Sequence, residues 1–283
     1  MRIFIAGATG VVGRRVVALL AEAGHELTAM TRHAASAPGL RAAGADPVVC
    51  DVFDAGAVRD AVRGARPEVV VHELTDLAAG DRTANAAIRV QGTRNLVDAA
   101  HAAGVRRIVA QSIAWAYAPG DAPASEDVPL DTDAADGTRR ETVAAVAALE
   151  STAAELPEWI VLRHGMLYGP GTWYAPGGLM AGAARAGQLP ATADVTSFVH
   201  VDDAAAAAVV ALDWPTGTYN ICDDEPAPGS AWVPAFCQAV DAPPPLPPAP
   251  ATPRAPWARG ADNHRARTRR GWTPRFPTWR TGF

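Results

Sequence analysis

Three glycines spaced three apart, Gly7, Gly10 and Gly13, interrupt an apolar run, Ile3-Phe4-Ile5-Ala6, just before Val11, Val12, Val16, Val17 and Leu20 resume at helical spacing. Glycine at such a strand-to-helix turn has a specific chemistry. Gly7 permits the tight turn, Gly10 lets a pyrophosphate approach the backbone, and Gly13 lets the helix pack on the strand with its N-terminus facing the phosphates. The expected ligand is a dinucleotide, held by Gly7, Thr9, Gly10, Val11, Val12 and Gly13. The end of the second strand chooses which one. A carboxylate there would meet the ribose 2′-hydroxyl of NAD, whereas Thr31-Arg32-His33 offers a cation for the 2′-phosphate of NADP, with Arg14 or Arg15 as a second contact. Asp51 and Val52 are expected at the adenine edge, and Leu74 and Ser112 complete the cofactor contacts.

The elements that must position these residues alternate. Strands are expected at Ile3–Ala6, His25–Arg32, Pro47–Cys50, Val69–His72 and Arg107–Ile113, with helices up to Ala23-Gly24, at Ala57–Arg63 and from Thr83 to Gly104. This order implies an α/β fold, a Rossmann-like doubly wound parallel sheet with ligands beyond the carboxyl ends of its strands. The expected division is a dinucleotide-binding domain over 1–160, whose core strands return after 160. Residues 161–283 then form mainly a smaller C-terminal substrate lobe and tail, with a proline-rich tether at 241–256.

Composition narrows the function. The 283 residues are 49% hydrophobic with a net charge of -5, which gives no reason to expect nucleic acid, and the Arg265–Arg270 cluster reads as a solvated helix face. The first strand is too short and too soon broken by glycine for a signal peptide, so a cytoplasmic protein with no membrane partner is expected. Cys50, Cys222 and Cys237 have neither disulfide nor ligand spacing, and no metal site is expected. All 25 basic residues are arginine; the absence of lysine excludes any lysine-dependent mechanism.

Gly7-Ala8-Thr9-Gly10-Val11-Val12-Gly13, Gly92-Thr93-Arg94-Asn95-Leu96, the segment Leu162 to Gly171, Phe198 to Ala204, Tyr219-Asn220-Ile221 and Gly271-Trp272-Thr273-Pro274 together resemble the extended short-chain dehydrogenase/reductases, in particular the NAD-dependent epimerase/dehydratase group. The resemblance spans nearly the whole chain. It implies a substrate lobe from Leu162 onward, a pocket lined after Tyr168, a tail anchored by Trp272, Trp279 and Phe283, and the homodimer common in that family.

The pattern breaks at the chemistry. The family's tyrosine, the acid or base, and the lysine four residues later that lowers its pKa fall on Thr142 and Val146 when the chain is aligned on Glu150. The family's asparagine three residues before Gly92 is Arg89. Ser112 resembles the family's catalytic serine, although matching Tyr117 to the family's tyrosine after strand five puts that site on Ile113. Candidate replacement acids or bases are Tyr117, His164, Tyr168 and the acidic Glu126, Asp127, Asp131 and Asp133, with Ser112, Tyr117 and His164 taken forward as catalytic candidates. Trp115, Tyr117, Met166, Tyr168, Trp173 and Tyr174 would give a pocket suited to an apolar or aromatic small molecule, the alternative for the tryptophans being core packing. Asp202 or Asp203 is expected to cap a helix rather than to form a triad with His200. Three functions stay open: an NADP-dependent reductase of a small apolar metabolite with a non-standard proton donor; a cofactor-bound dehydratase, epimerase or cyclase of secondary metabolism; and a non-enzymatic sensor of dinucleotide redox state.

Overall fold

The computed structural model describes residues 1–77, 81–245 and 253–283. In chain order the elements are β1 (Arg2–Ala6), α1 (Gly13–Glu22), β2 (Glu26–Thr31), α2 (Ala37–Ala42), β3 (Asp46–Val49), α3 (Ala55–Ala65), β4 (Val69–His72), α4 (Arg82–Ala87), a π-helical turn (Ile88–Gly92), α5 (Thr93–Ala102), β5 (Arg107–Ile113), α6 (Gly137–Ala153), β6 (Glu158–His164), β7 (Met166–Tyr168), α7 (Leu179–Arg185), β8 (Val195–Thr196), β9 (Phe198–His200), α8 (Val201–Val210), β10 (Gly217–Ile221), β11 (Ala227–Pro228), α9 (Gly229–Ala239) and α10 (His264–Arg270). The seven-stranded sheet runs β10-β6-β5-β4-β1-β2-β3, with β1 parallel to β2 and β4, β2 to β3, and β4 to β5. This is the Rossmann-like parallel sheet that the strand–helix alternation predicts.

Two compact units divide the chain. The first takes Met1–Ser112, Thr132–Leu162 and Ala205–Thr218; the second takes Ile113–Asp131, Arg163–Ala204 and Tyr219–Phe283. In the first, Phe4, Ala6, Val70, Ile108 and Ala110 on one sheet face meet Val58 and Val62 of α3, Leu96, Val97 and Ala100 of α5, and Leu149 and Ala153 of α6. Alternate residues of strands that are buried on both faces and one face of each helix thus close one core. In the second, Tyr168, Tyr174, Phe198, Trp232, Phe236 and Trp279 form an aromatic cluster with Phe283. Of the three expected tail aromatics, Trp279 and Phe283 join this cluster, whereas Trp272 is buried outside it.

Several local expectations change. The helix expected from Thr83 to Gly104 is broken by the π turn, where the Thr93 hydroxyl reaches the carbonyl of Ile88 five residues back and lies 2.9 Å from His72 Nε2. Gly92 backs onto Val52, where an added Cβ would stand 3.1 Å from Cγ1. Helix α2 has no counterpart among the expected elements; Pro38 lies in its first turn, where proline is tolerated. Asp202 and Asp203 are not caps: both lie inside the first turn of α8, and the Asp203 carboxylate accepts hydrogen bonds from the backbone of Arg275 and Phe276, both at 2.9 Å. The α10 arginines are not simply solvated, since Arg265 pairs with Glu126 and Asp127 and Arg267 with Asp224. Of the proline-rich tether expected at 241–256, the stretch 246–252 lies outside the described residues.

Candidate active site

In the first unit, β1 ends on Ala6 and Gly7 turns the chain with φ +91°, a conformation open to glycine. A Cβ at Gly7 would stand 2.4 Å from the Glu73 carbonyl, and one at Gly13 would stand 2.1 Å from the Gly7 carbonyl oxygen, so both positions are closed by backbone. Gly10 differs. Its N–H donates to the Gly7 carbonyl at 3.0 Å, and an added Cβ would meet only that oxygen, at 3.2 Å. Thr9 and Gly10 are exposed, Val11 half-buried and Val12 buried. Helix α1 opens with no side-chain cap and no acidic residue in its first turn, and although the Arg14 and Arg15 N–H groups donate to the Gly10 and Val12 carbonyls at 3.1 and 2.9 Å, an anion there would meet the positive end of the helix dipole. This cradle fits a pyrophosphate.

Arg32 leaves the end of β2 with its side chain 54% exposed; Nη1 lies 3.2 Å from Asp76 Oδ2 and Nε lies 3.2 Å from His33 Nε2. Arg14 is exposed, and Arg15 donates to the Val11 carbonyl at 2.8 Å. Asp51 Oδ1 accepts from the Phe53 N–H at 3.0 Å, and the Val52 carbonyl accepts from Asn95 Nδ2 at 2.8 Å, so α5 pins the loop after β3. Leu74 is half-buried, and its N–H points to His72 Nδ1 at 3.3 Å.

Ser112 is buried near the end of β5 and donates to Glu150 Oε1 of α6 at 2.6 Å. On the same helix Thr142 returns its hydroxyl to the Thr138 carbonyl at 2.8 Å, and Val146 is buried. Neither is an acid or base. Two charged groups of this unit escaped the sequence reading as functional. Glu73, directly behind the glycine turn, is buried with both carboxyl oxygens unpartnered, and burial pushes its pKa up to about 8. Arg89, on the π turn, is buried too, and burial pulls it down to about 10. The only available signal was a charge inside an apolar context, and burial is a tertiary property.

In the second unit, Tyr117 is fully buried and donates to Asn220 Oδ1 at 2.6 Å, with the Arg163 guanidinium 4.8 Å from its ring centre. Tyr168 sits edge-on to Phe198, His200 and Phe283, its hydroxyl 3.4 Å from the Thr278 carbonyl, and burial raises its pKa. Tyr174 is buried in the same cluster, whereas Met166 and Trp173 flank it half-buried and Trp115 is half-buried. His164 is buried at the end of β6 with neither ring nitrogen hydrogen-bonded, and burial lowers its pKa to about 4, so the imidazole is neutral at pH 7. Of the acidic residues, Glu126 accepts from the Asn220 N–H at 2.7 Å and Asp127 holds Arg265.

The chain matches the NAD dependent epimerase/dehydratase family over residues 3–222, and it belongs to that family of enzymes. It is 47% identical, over all of its own length and 99% of the other's, to a 3-diazoavenalumate denitrifying reductase from a Streptomyces species. Among solved structures it resembles the NAD complex of Thermus thermophilus UDP-glucose 4-epimerase (24% identity, 97% of this chain and 94% of that one, TM-score 0.76). It also resembles Bordetella bronchiseptica WbmG with NAD and UDP (26% identity, 97% and 89%, TM-score 0.76). The family binds NAD or NADP, and no helix among the described residues is long and apolar enough to cross a membrane.

Proposed function

We propose that the protein is an NADP-dependent reductase that removes dinitrogen from a small diazo-bearing aromatic acid. The aryl C–N bond breaks, dinitrogen leaves, and hydride forms the new C–H bond, so that Ar–N2⁺ and H⁻ give Ar–H and N2. The dinucleotide supplies the hydride when bound. The observation that carries this reading is that Thr142 and Val146 stand on α6 where the resemblance places the family's tyrosine and lysine. Thr142 spends its hydroxyl on its own helix, Val146 is buried, and the chain has no lysine. A carbonyl reductase must protonate an oxyanion as hydride arrives, whereas the loss of dinitrogen leaves no oxyanion behind. The whole-length likeness to a denitrifying reductase supports the same chemistry.

The chain's own residues then bind and orient. The Gly7–Gly13 turn and the uncapped α1 would hold the pyrophosphate, and Arg32 the 2′-phosphate. The exposed Arg32–Asp76 pair is the kind worth at most about 1 kcal/mol, so a phosphate displaces Asp76 at small cost. Asp51, Val52, Leu74 and Ser112 complete the cofactor side, Ser112 being fixed by Glu150. Trp115, Met166 and Trp173, which are half-buried, are the substrate-facing candidates of the second unit, with Tyr117, Tyr168 and Tyr174 as packing beneath them. His164 offers a neutral donor to a substrate oxygen; Tyr117 is already committed to Asn220.

The test is turnover with matched acceptors. A diazotised aromatic acid should oxidise NADPH, read at the nicotinamide absorbance band, while the ketone of the same ring size should not. Ketone reduction at equal or greater rate would overturn the proposal.

A further inference from the structure

A buried guanidinium without a counter-ion is costly, and Arg89 is one. The residue is 8% exposed, belongs to the π turn between α4 and α5, and packs against α6. Among the described residues it takes part in no ion pair or hydrogen bond, whereas the other buried arginines, Arg139 and Arg163, are engaged. Burial alone accounts for its lowered pKa, and burial alone for the raised pKa of Glu73, so neither charge answers the other. An ionised group held out of water is retained where a partner arrives to pair with it. Helical backbone interrupted by a π turn at the same place is a frequent mark of a ligand-contacting position.

The anions of the dinucleotide already have receivers in the glycine turn and Arg32. The one left for Arg89 is on the other reactant. We propose that Arg89 binds the carboxylate of the substrate, its planar two-donor fork matching the two carboxylate oxygens. This rests on the reductase reading above and adds to it a demand that the substrate be an acid rather than an ester or an amide. On the neighbouring α6, Thr142 and Val146 are neutral, and the helix's own cations lie at its start, Arg139 being buried and Arg140 donating to the Ala134 carbonyl at 2.8 Å.

The test uses the full chain saturated with NADP⁺ and calorimetric titration with cinnamate and with methyl cinnamate, on wild type, Arg89→Met and Arg89→Lys. Wild type should prefer the acid. Arg89→Met should lose about tenfold or more of its affinity for cinnamate, with the ester unchanged, because a charged two-point contact is removed. Arg89→Lys should fall between, keeping the charge and losing the fork. Because the substitution removes an uncompensated buried charge, Arg89→Met should melt no lower than wild type, which separates loss of binding from loss of fold. Equal affinity of wild type for acid and ester overturns the proposal, as does a weakened NADP⁺ affinity in Arg89→Met with acid preference intact. Acid preference lost in Arg89→Met would stand even if diazo turnover failed, so the two readings fail separately.

Discussion

Substituting Arg32 by alanine should convert a selective dinucleotide site into an indifferent one. The guanidinium has its side chain 54% exposed and one salt bridge, to Asp76, itself 26% exposed. A charge-assisted hydrogen bond is worth about 1.5–3 kcal/mol when shielded. At this exposure about half survives, and releasing Asp76 subtracts at most about 1 kcal/mol. The net is a few tenths to about 1.5 kcal/mol, which is about a 2- to 12-fold weakening of NADPH with NADH unaffected. Asp76→Asn should act oppositely, tightening NADPH a few-fold, because it frees the guanidinium and removes a negative charge beside the phosphate. The assay is titration of purified protein with each dinucleotide, following energy transfer from its tryptophans. Equal weakening of NADPH and NADH by Arg32→Ala, or no change in either, would refute the assignment of Arg32 and with it the NADP preference.

Other outcomes follow from the same geometry. Gly10→Ala should fold with a nearly unchanged melting temperature but bind either dinucleotide at least tenfold more weakly, since its methyl group would meet only the Gly7 carbonyl and stand where the pyrophosphate approaches. Gly13→Ala should lose about 2–4 kcal/mol in denaturant titrations, because its Cβ overlaps that carbonyl and backbone cannot swing away. Glu73 is protonated in the folded chain up to about pH 8 but ionises near its ordinary value when unfolded. The native state therefore binds the extra proton between these values, stability falls there by up to about 1.4 kcal/mol per pH unit, and Glu73→Gln should flatten that slope and raise the melting temperature at pH 8. His164 has the reverse sign: its pKa of about 4 lies below the unfolded value, so stability is lost as pH falls from about 6.5 toward 4, and His164→Phe should lessen acid unfolding.

Much of this architecture was legible because its cause is local. Strands β4 and β5 coincide with the runs Val69–His72 and Arg107–Ile113, since their β-branched, apolar centres, Val69-Val70-Val71 and Ile108-Val109-Ala110, suit a parallel strand buried on both faces. The glycine turn was legible for a steric reason: Gly7 and Gly13 stand against backbone, so no other residue fits. What escaped depends on distance along the chain. Asp203 holds the backbone of Arg275 and Phe276, a partnership across seventy residues that no helix-capping rule contains. Arg89 was visible as a departure from a family pattern, but its lack of a counter-ion exists only once α4, α5 and α6 surround it. Glu73 escaped for the same reason. The π turn arises where Thr93 must satisfy both His72 and Ile88, a requirement set by β4 and invisible in the helical periodicity of Thr83 to Gly104.

The most direct test of the central claim is stoichiometry. A diazotised aromatic acid labelled at both diazo nitrogens would be incubated with the protein and NADPH, with labelled dinitrogen measured in the headspace and dinucleotide oxidation measured in solution. One dinitrogen should be released per NADPH oxidised, with an aryl C–H in the product and no release when either protein or NADPH is omitted. Dinitrogen released at the same rate without NADPH, or NADPH consumed with both nitrogens retained on the ring, would contradict it.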